Sequence, residues 1–196
     1  AFVKKLNAEK KFVIGIYKLK DTGEIKIDEI DETVGLNHIF VNLTEFYGEK
    51  YLNTVIGQNL RVYNTEDYPN HDSENTSLNL AMEKTLEAAP SEFYTSANGE
   101  FFMGVSGNKV MLVNLELMEL LQFEHNNNTI RQLDYYLMFD VVDGKMQVYD
   151  FDHDNQRTIL ENVANGFDAV INHNNRYLYY VGASDNGLQI KRDKLF

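Results

Sequence analysis

Apolar and polar positions alternate along much of this chain in short runs, separated by turns rich in Gly, Asn and Asp. Phe12-Val-Ile-Gly-Ile-Tyr-Lys18 leads into the turn Asp21-Thr-Gly-Glu24 and then Ile25-Lys-Ile-Asp-Glu-Ile30. Gly and Asn accept positive φ at little steric cost, so such steps between β-branched and aromatic runs predict hairpins. The unit returns at 51–56 with 60–64, 100–105 with 110–115, 135–140 with 146–151, and 176–181 with 188–193.

Each second strand carries an aliphatic residue or Met at positions i and i+2. The pairs are Ile25/Ile27, Leu60/Val62, Val110/Leu112, Met146/Val148 and Leu188/Ile190. Strand side chains alternate between faces, so both members of a pair share one face. Lys26, Arg61, Gln147 and Gln189 fall between them, as a half-solvated strand requires, and Met111 is the exception. Successive pairs are 35 to 50 residues apart, a range that brackets the period of propeller blades.

Residues 67–90 break the pattern. A polar stretch gives way to Leu78, Ala81, Met82 and Leu86 at helical spacing, with Pro90 as a stop. This predicts a short helix near 77–89, inserted between repeats. Residues 37–47 read either as a second helix or, through Ile39-Phe-Val41, as a strand. The expected fold is all-β, mainly antiparallel hairpins, in one domain over 1–196. Its repeats are 11–30, 51–64, 92–123, 129–161 and 165–196, with the insertion at 67–90. The alternative is an α+β fold with a β-rich C-terminal half.

The C-terminal half resembles β-propeller repeats of the WD40 or TolB type. Phe93-Tyr-Thr-Ser-Ala-Asn-Gly-Glu-Phe-Phe-Met-Gly-Val105 looks like the opening of a blade. Val110-Met-Leu-Val-Asn-Leu115 and Met146-Gln-Val-Tyr-Asp-Phe151 are similar to the strand that follows. Arg157-Thr-Ile-Leu160 suits an outer strand, and residues 172–181 suit the next inner ones. The resemblance covers about 92–196 and lacks the Trp-Asp signature, since the chain has no Trp. It implies a disc with loops on two faces and a central channel. Phe2, Val3 and Leu6 are expected to supply the missing outer strand of the last repeat.

Composition narrows the function. With 18 basic and 30 acidic residues the formal charge is −12, and no basic footprint for nucleic acid or an anionic membrane is visible. The absence of Cys removes disulfides, thiolate metal sites and Cys nucleophiles. No apolar run approaches a membrane span, and no secretory leader opens the sequence, so a soluble protein, cytoplasmic or secreted, is expected.

The most specific candidate site is Asp150-Phe-Asp152-His-Asp154-Asn-Gln-Arg-Thr-Ile-Leu-Glu161. Carboxylates at loop positions 1, 3, 5 and 12 have the spacing that wraps calcium in hard oxygen ligands. Position 6 is Asn155 instead of Gly, and the incoming segment reads as strand. An Asx-rich turn between outer strands explains the same residues. Asp150, Asp152, Asp154 and Glu161 are therefore the metal candidates, with calcium as the cofactor if there is one. The acidic pairs Asp28-Glu29, Asp31-Glu32, Glu116/Glu119 and Asp140/Asp143 fit solvated faces. The histidines His38, His71, His125, His153 and His173 fit turns. Tyr135, Tyr136, Tyr177, Tyr179 and Tyr180 are candidates for core packing or for an exposed aromatic face. No catalytic residue is assigned. The preferred function is a non-catalytic binding module presenting loops or an aromatic face to a protein partner. The alternatives are a calcium-dependent glycan-binding or glycan-cleaving protein, and an acidic inhibitor or immunity protein for a basic toxin.

Overall fold

A computed structural model describes residues 2–6, 11–17, 24–31, 34–65, 78–96, 98–125, 130–134, 137–150, 152 and 155–195. Its strands form five sheets, each in sequence order. The first has β1 (Phe2–Leu6), β2 (Lys11–Tyr17) and β3 (Glu24–Asp31). The second has β4 (Ile39–Phe46), β5 (Glu49–Ile56), β6 (Asn59–Asn64) and β7 (Asn79–Thr85). The third has β8 (Glu92–Thr95), β9 (Phe101–Ser106), β10 (Lys109–Asn114) and β11 (Glu119–Glu124). The fourth has β12 (Arg131–Asp134), β13 (Leu137–Val142), β14 (Lys145–Tyr149) and β15 (Arg157–Glu161). The last has β16 (Val170–Asn172), β17 (Tyr177–Ser184) and β18 (Gly187–Lys194). Each of the five strand–turn–strand units lies within one sheet. The turn at 21–23 falls outside the described residues.

Turn chemistry sets the hairpin registers. Asp143 and Gly144 both have positive φ, at 50° and 75°, which matches the right-handed twist of the strands they join. Val142 then pairs with Lys145, and the ladder runs back to Met138 and Tyr149.

Two expectations are corrected and one open reading is decided. Residues 79–85 form strand β7, not the predicted helix, and among the described residues there is no α-helix to support an α+β fold. Met82 and Leu86 are the buried positions of this stretch, and a spacing of four satisfies strand and helix periods alike. Ala81 supplied the helical register, but it is the extra residue of a bulge: Val62 pairs with Met82 and Tyr63 with Leu80. Pairing with β6 thus overrides local helix propensity. Residues 66–77 lie outside the described residues. Over 37–47, a 3₁₀ turn at Leu36–His38 runs straight into β4, so the strand reading holds. Finally, Phe2–Leu6 pairs with β2, from Phe2 opposite Gly15 to Leu6 opposite Lys11. Among the described residues the last sheet holds three strands, and β1 is not one of them. The near partner wins because a hairpin closes a short loop.

The chain divides into two compact units, residues 1–93 with 114–120, and residues 94–113 with 121–196. In the N-terminal unit Phe12, Ile14 and Ile30 pack with Ile39 and Ile56. In the C-terminal unit the fourth sheet is covered on both faces. Met138 and Tyr149 pack with Met103, Val105, Val110 and Leu112 on one side. Phe139, Val141, Met146 and Val148 pack with Leu178 and Tyr180 on the other. Double-sided burial explains why these strands read as continuous apolar runs. A side chain such as Phe139, 1% exposed, contributes about 2–3 kcal/mol on burial.

Candidate functional site

The apolar face shared by the fourth and fifth sheets opens into a half-open groove of about 550 Å³. Its floor is Leu133, Leu137, Val148, Ile159, Leu160, Ile171, Leu178 and Leu195, and its polar rim is Asp134, Arg157, His173, Arg176, Asp193 and Lys194. Two bulges build it. The ladder of β12 with β13 shifts between Gln132 and Asp134, which lets the neighbours Leu133 and Asp134 line the same cavity. The ladder of β14 with β15 shifts between Met146 and Gln147, and the neighbours Ile159 and Leu160 likewise share it. In a regular strand one of each pair would point away; re-aiming a side chain is what a bulge does.

The rim is held by local chemistry. Asn172 Oδ1 accepts from the backbone N–H groups of Asn174 and Asn175, at 3.1 and 3.4 Å, and shapes the turn between β16 and β17. That turn sets His173 Nε2 3.0 Å from Asp134 Oδ1. It ends at Arg176, whose φ of 59° is left-handed, and whose carbonyl accepts from the Leu195 N–H at 2.8 Å. The Tyr180 hydroxyl donates to Asp193 at 2.7 Å. Burial first, then this bond, pushes the tyrosine up to about 12. Both groove carboxylates are therefore engaged. Arg157, Arg176 and Lys194 form no ion pair among the described residues.

The calcium candidates are placed as follows. Asp150 follows β14 and accepts from Asn155 Nδ2 at 2.7 Å, while Asn155 takes the left-handed φ of 53°. Asp152 is exposed, and Asp154 lies outside the described residues. Glu161 pairs across the ladder with Lys145. That is five residues along the hairpin from Asp150, roughly 15 Å at strand spacing. Among the described residues no cluster of three His, Asp or Glu could hold a metal ion.

The other candidates scatter. Tyr177 and Tyr179 share a face at 6.4 Å, and Arg192 lies 4.9 Å over the Tyr177 ring. Tyr180 is buried, and 135–136, 71 and 153 fall outside the described residues. His38 Nδ1 meets the Pro90 carbonyl at 3.0 Å. Glu116, Glu119 and Asp143 are exposed.

Sequence reasoning placed His125 in a turn and Asp140 on a solvated face. Both are buried, at 5% and 0% exposure, with His125 Nε2 2.8 Å from Asp140 Oδ2. The available signal was an Asp within the apolar run Met138-Phe139-Asp140-Val141, since a buried carboxylate requires a partner.

No protein-family model matches the chain, and no curated protein matches it in sequence. Among solved structures, the C-terminal WD40 domain of Sif2 matches with a TM-score of 0.54 at 13% identity, over 93% of this chain and 51% of that one. A candidate 6-phosphogluconolactonase from Bacteroides fragilis NCTC 9343 gives 0.47 at 12% identity, over 98% and 68%. A chain of the mitotic checkpoint complex gives 0.45 at 16%, over 77% and 48%. This chain spans about half the length of the WD40 domain it matches. The Sif2 likeness, with the four-stranded sheets, makes the fold all-β and propeller-like, as the resemblance of residues 92–196 implied. Among the described residues no helix is long and apolar enough to cross a membrane.

Proposed function

We propose that the chain is a non-catalytic binding module that receives a segment of a protein partner in the groove of its C-terminal unit. The observation that carries this reading is the groove itself: an apolar floor, open to solvent along one side, inside a polar rim. Recognition sites join apolar anchoring surface to a few placed polar groups in this way. Both rim carboxylates are already bonded, to His173 and Tyr180, which suits orientation of a ligand better than proton transfer. The WD40-like fold supports the reading only as a scaffold on which such sites are carried.

A photo-crosslinking residue at Leu137, in the groove, tests this against one at Leu43, exposed in the N-terminal unit. The expected result is a discrete adduct from position 137 alone, lost when Ile159→Asp charges the floor while the melting temperature holds. Equal adducts from both positions, or one indifferent to Ile159→Asp, would place the binding surface elsewhere.

A further inference from the structure

Three basic side chains, Arg157, Arg176 and Lys194, reach the groove from three separate elements: β15, the turn before β17, and the end of β18. None is neutralised by an ion pair among the described residues. Two carboxylates share the rim with them and keep their charge, Asp134 bonded to His173 at 3.0 Å and Asp193 to Tyr180 at 2.7 Å, so three cations stand against two anions. The chain as a whole has a formal charge of −12. This excess of cations, with no ion pair to them among the described residues, is a small local reversal of sign in so acidic a protein. Opposite charge on a ligand would meet that reversal here.

We propose, resting on the groove reading above, that its ligand is an acidic, extended peptide segment in which apolar side chains alternate with Asp or Glu. The apolar side chains enter the floor, and the carboxylates lie along the rim. Cations on three elements fit charges distributed along a chain. A single phosphate or fatty-acid headgroup would instead draw them to one point, the outcome that the decanoate probe below reads. Rim ion pairs are partly solvated, so each contributes about two- to fivefold in affinity and together roughly tenfold or more. They are also weakened by salt, because the Debye length falls from ~10 Å at 0.1 M to ~3 Å at 1 M.

Calorimetric titration of the full chain tests this with four probes. They are a blocked Asp-Leu-Glu-Leu-Asp peptide, its neutral counterpart Asn-Leu-Gln-Leu-Asn, the anchorless Asp-Ser-Glu-Ser-Asp, and decanoate. The acidic apolar peptide is expected to bind at least tenfold tighter than either other peptide. It should weaken several-fold between 50 and 500 mM salt. The exposed-side-chain variant Arg157→Gln/Lys194→Gln, which leaves the floor intact, should erase its advantage over the neutral peptide. Equal binding of acidic and neutral peptides overturns the acidic class while leaving the groove reading in place. Binding of decanoate without any peptide overturns the peptide class. Failure of all four probes overturns the acidic-peptide proposal, and the crosslink at Leu137 then reports on the groove reading by itself.

Discussion

The His125 imidazole lies 2.8 Å from Asp140 through Nε2, with the Tyr149 hydroxyl 3.3 Å from the other carboxylate oxygen and the Tyr149 ring edge-on to the histidine at 5.3 Å. His125 follows β11 and Asp140 lies in β13, so the pair joins the third and fourth sheets within the C-terminal unit. Taking His125 away deprives a fully buried carboxylate of its partner at 2.8 Å and leaves the longer Tyr149 contact. His125→Ala is therefore expected to cost about 3 kcal/mol or more, whereas Asp140→Asn, which keeps an acceptor, should cost about 1 kcal/mol. Replacing both by apolar residues should cost less than the sum of the single changes. Urea denaturation of the three variants reads this directly, and additive costs would remove the coupling.

Tyr149 and Tyr180 give the fold an alkaline limit. Both hydroxyls are pushed up to about 12, first by burial, with Asp140 and Asp193 adding to it. A raised pKa means that the fold favours the neutral phenol, so this stability is complete below the unfolded value of ~10 and is lost as pH rises through ~12. The urea midpoint should be flat to about pH 10 and then fall, in step with tyrosinate absorbance. Tyr149→Phe/Tyr180→Phe should shallow the fall. An equal slope in that variant assigns the alkaline loss to other groups.

Much of this architecture was written in local pattern. Leu60/Val62, Val110/Leu112 and Met146/Val148 are buried pairs, as their alternation predicted. Leu188/Ile190 follow the same rule and face solvent, because what covers a face is a tertiary fact that one strand does not encode. The helix expected at 77–89 failed because its spacing of four fits both periods. The groove was illegible for a related reason. It depends on bulges that bring Leu133 with Asp134, and Ile159 with Leu160, to one side, and period-two reading assigns those neighbours to opposite faces. Its cations come from three segments that no spacing rule connects.

Gly107 isolates turn chemistry from packing. Its φ is 59°, and a Cβ added there meets nothing within 4 Å. Gly107→Ala should therefore destabilise by about 1–2 kcal/mol through backbone strain alone. D-alanine at the same position should restore or exceed wild-type stability. Loss with both enantiomers would point to a contact at this turn.

The calcium loop has its own test. Register sets Glu161 opposite Lys145, away from Asp150, so any ion held by Asp150, Asp152 and Asp154 binds without the twelfth-position carboxylate. Under that proposal, a calcium-dependent rise in melting temperature is lost with Asp150→Asn and unchanged with Glu161→Gln. The absence of any heat or thermal shift on calcium addition leaves Asp150 with the one role its geometry supplies, holding Asn155 in the turn.

Strand β18 carries a liability that can be measured. It is eight residues long and, among the described residues, pairs only with β17. Leu188 and Ile190 are 59% and 83% exposed along it. A long edge with exposed apolar side chains is a template for strand addition between molecules. Lys191, Arg192 and Lys194 on the same strand oppose that association by charge, as edge lysines do elsewhere, and screening should release it. Light scattering is therefore expected to show concentration-dependent association that grows with salt. Ile190→Lys should suppress it and shift stability by no more than about 0.5 kcal/mol, because the side chain it replaces is nearly free of contacts. Association that persists in Ile190→Lys and Leu188→Lys, or that weakens with salt, would assign self-contact to an acidic–basic surface instead of this edge.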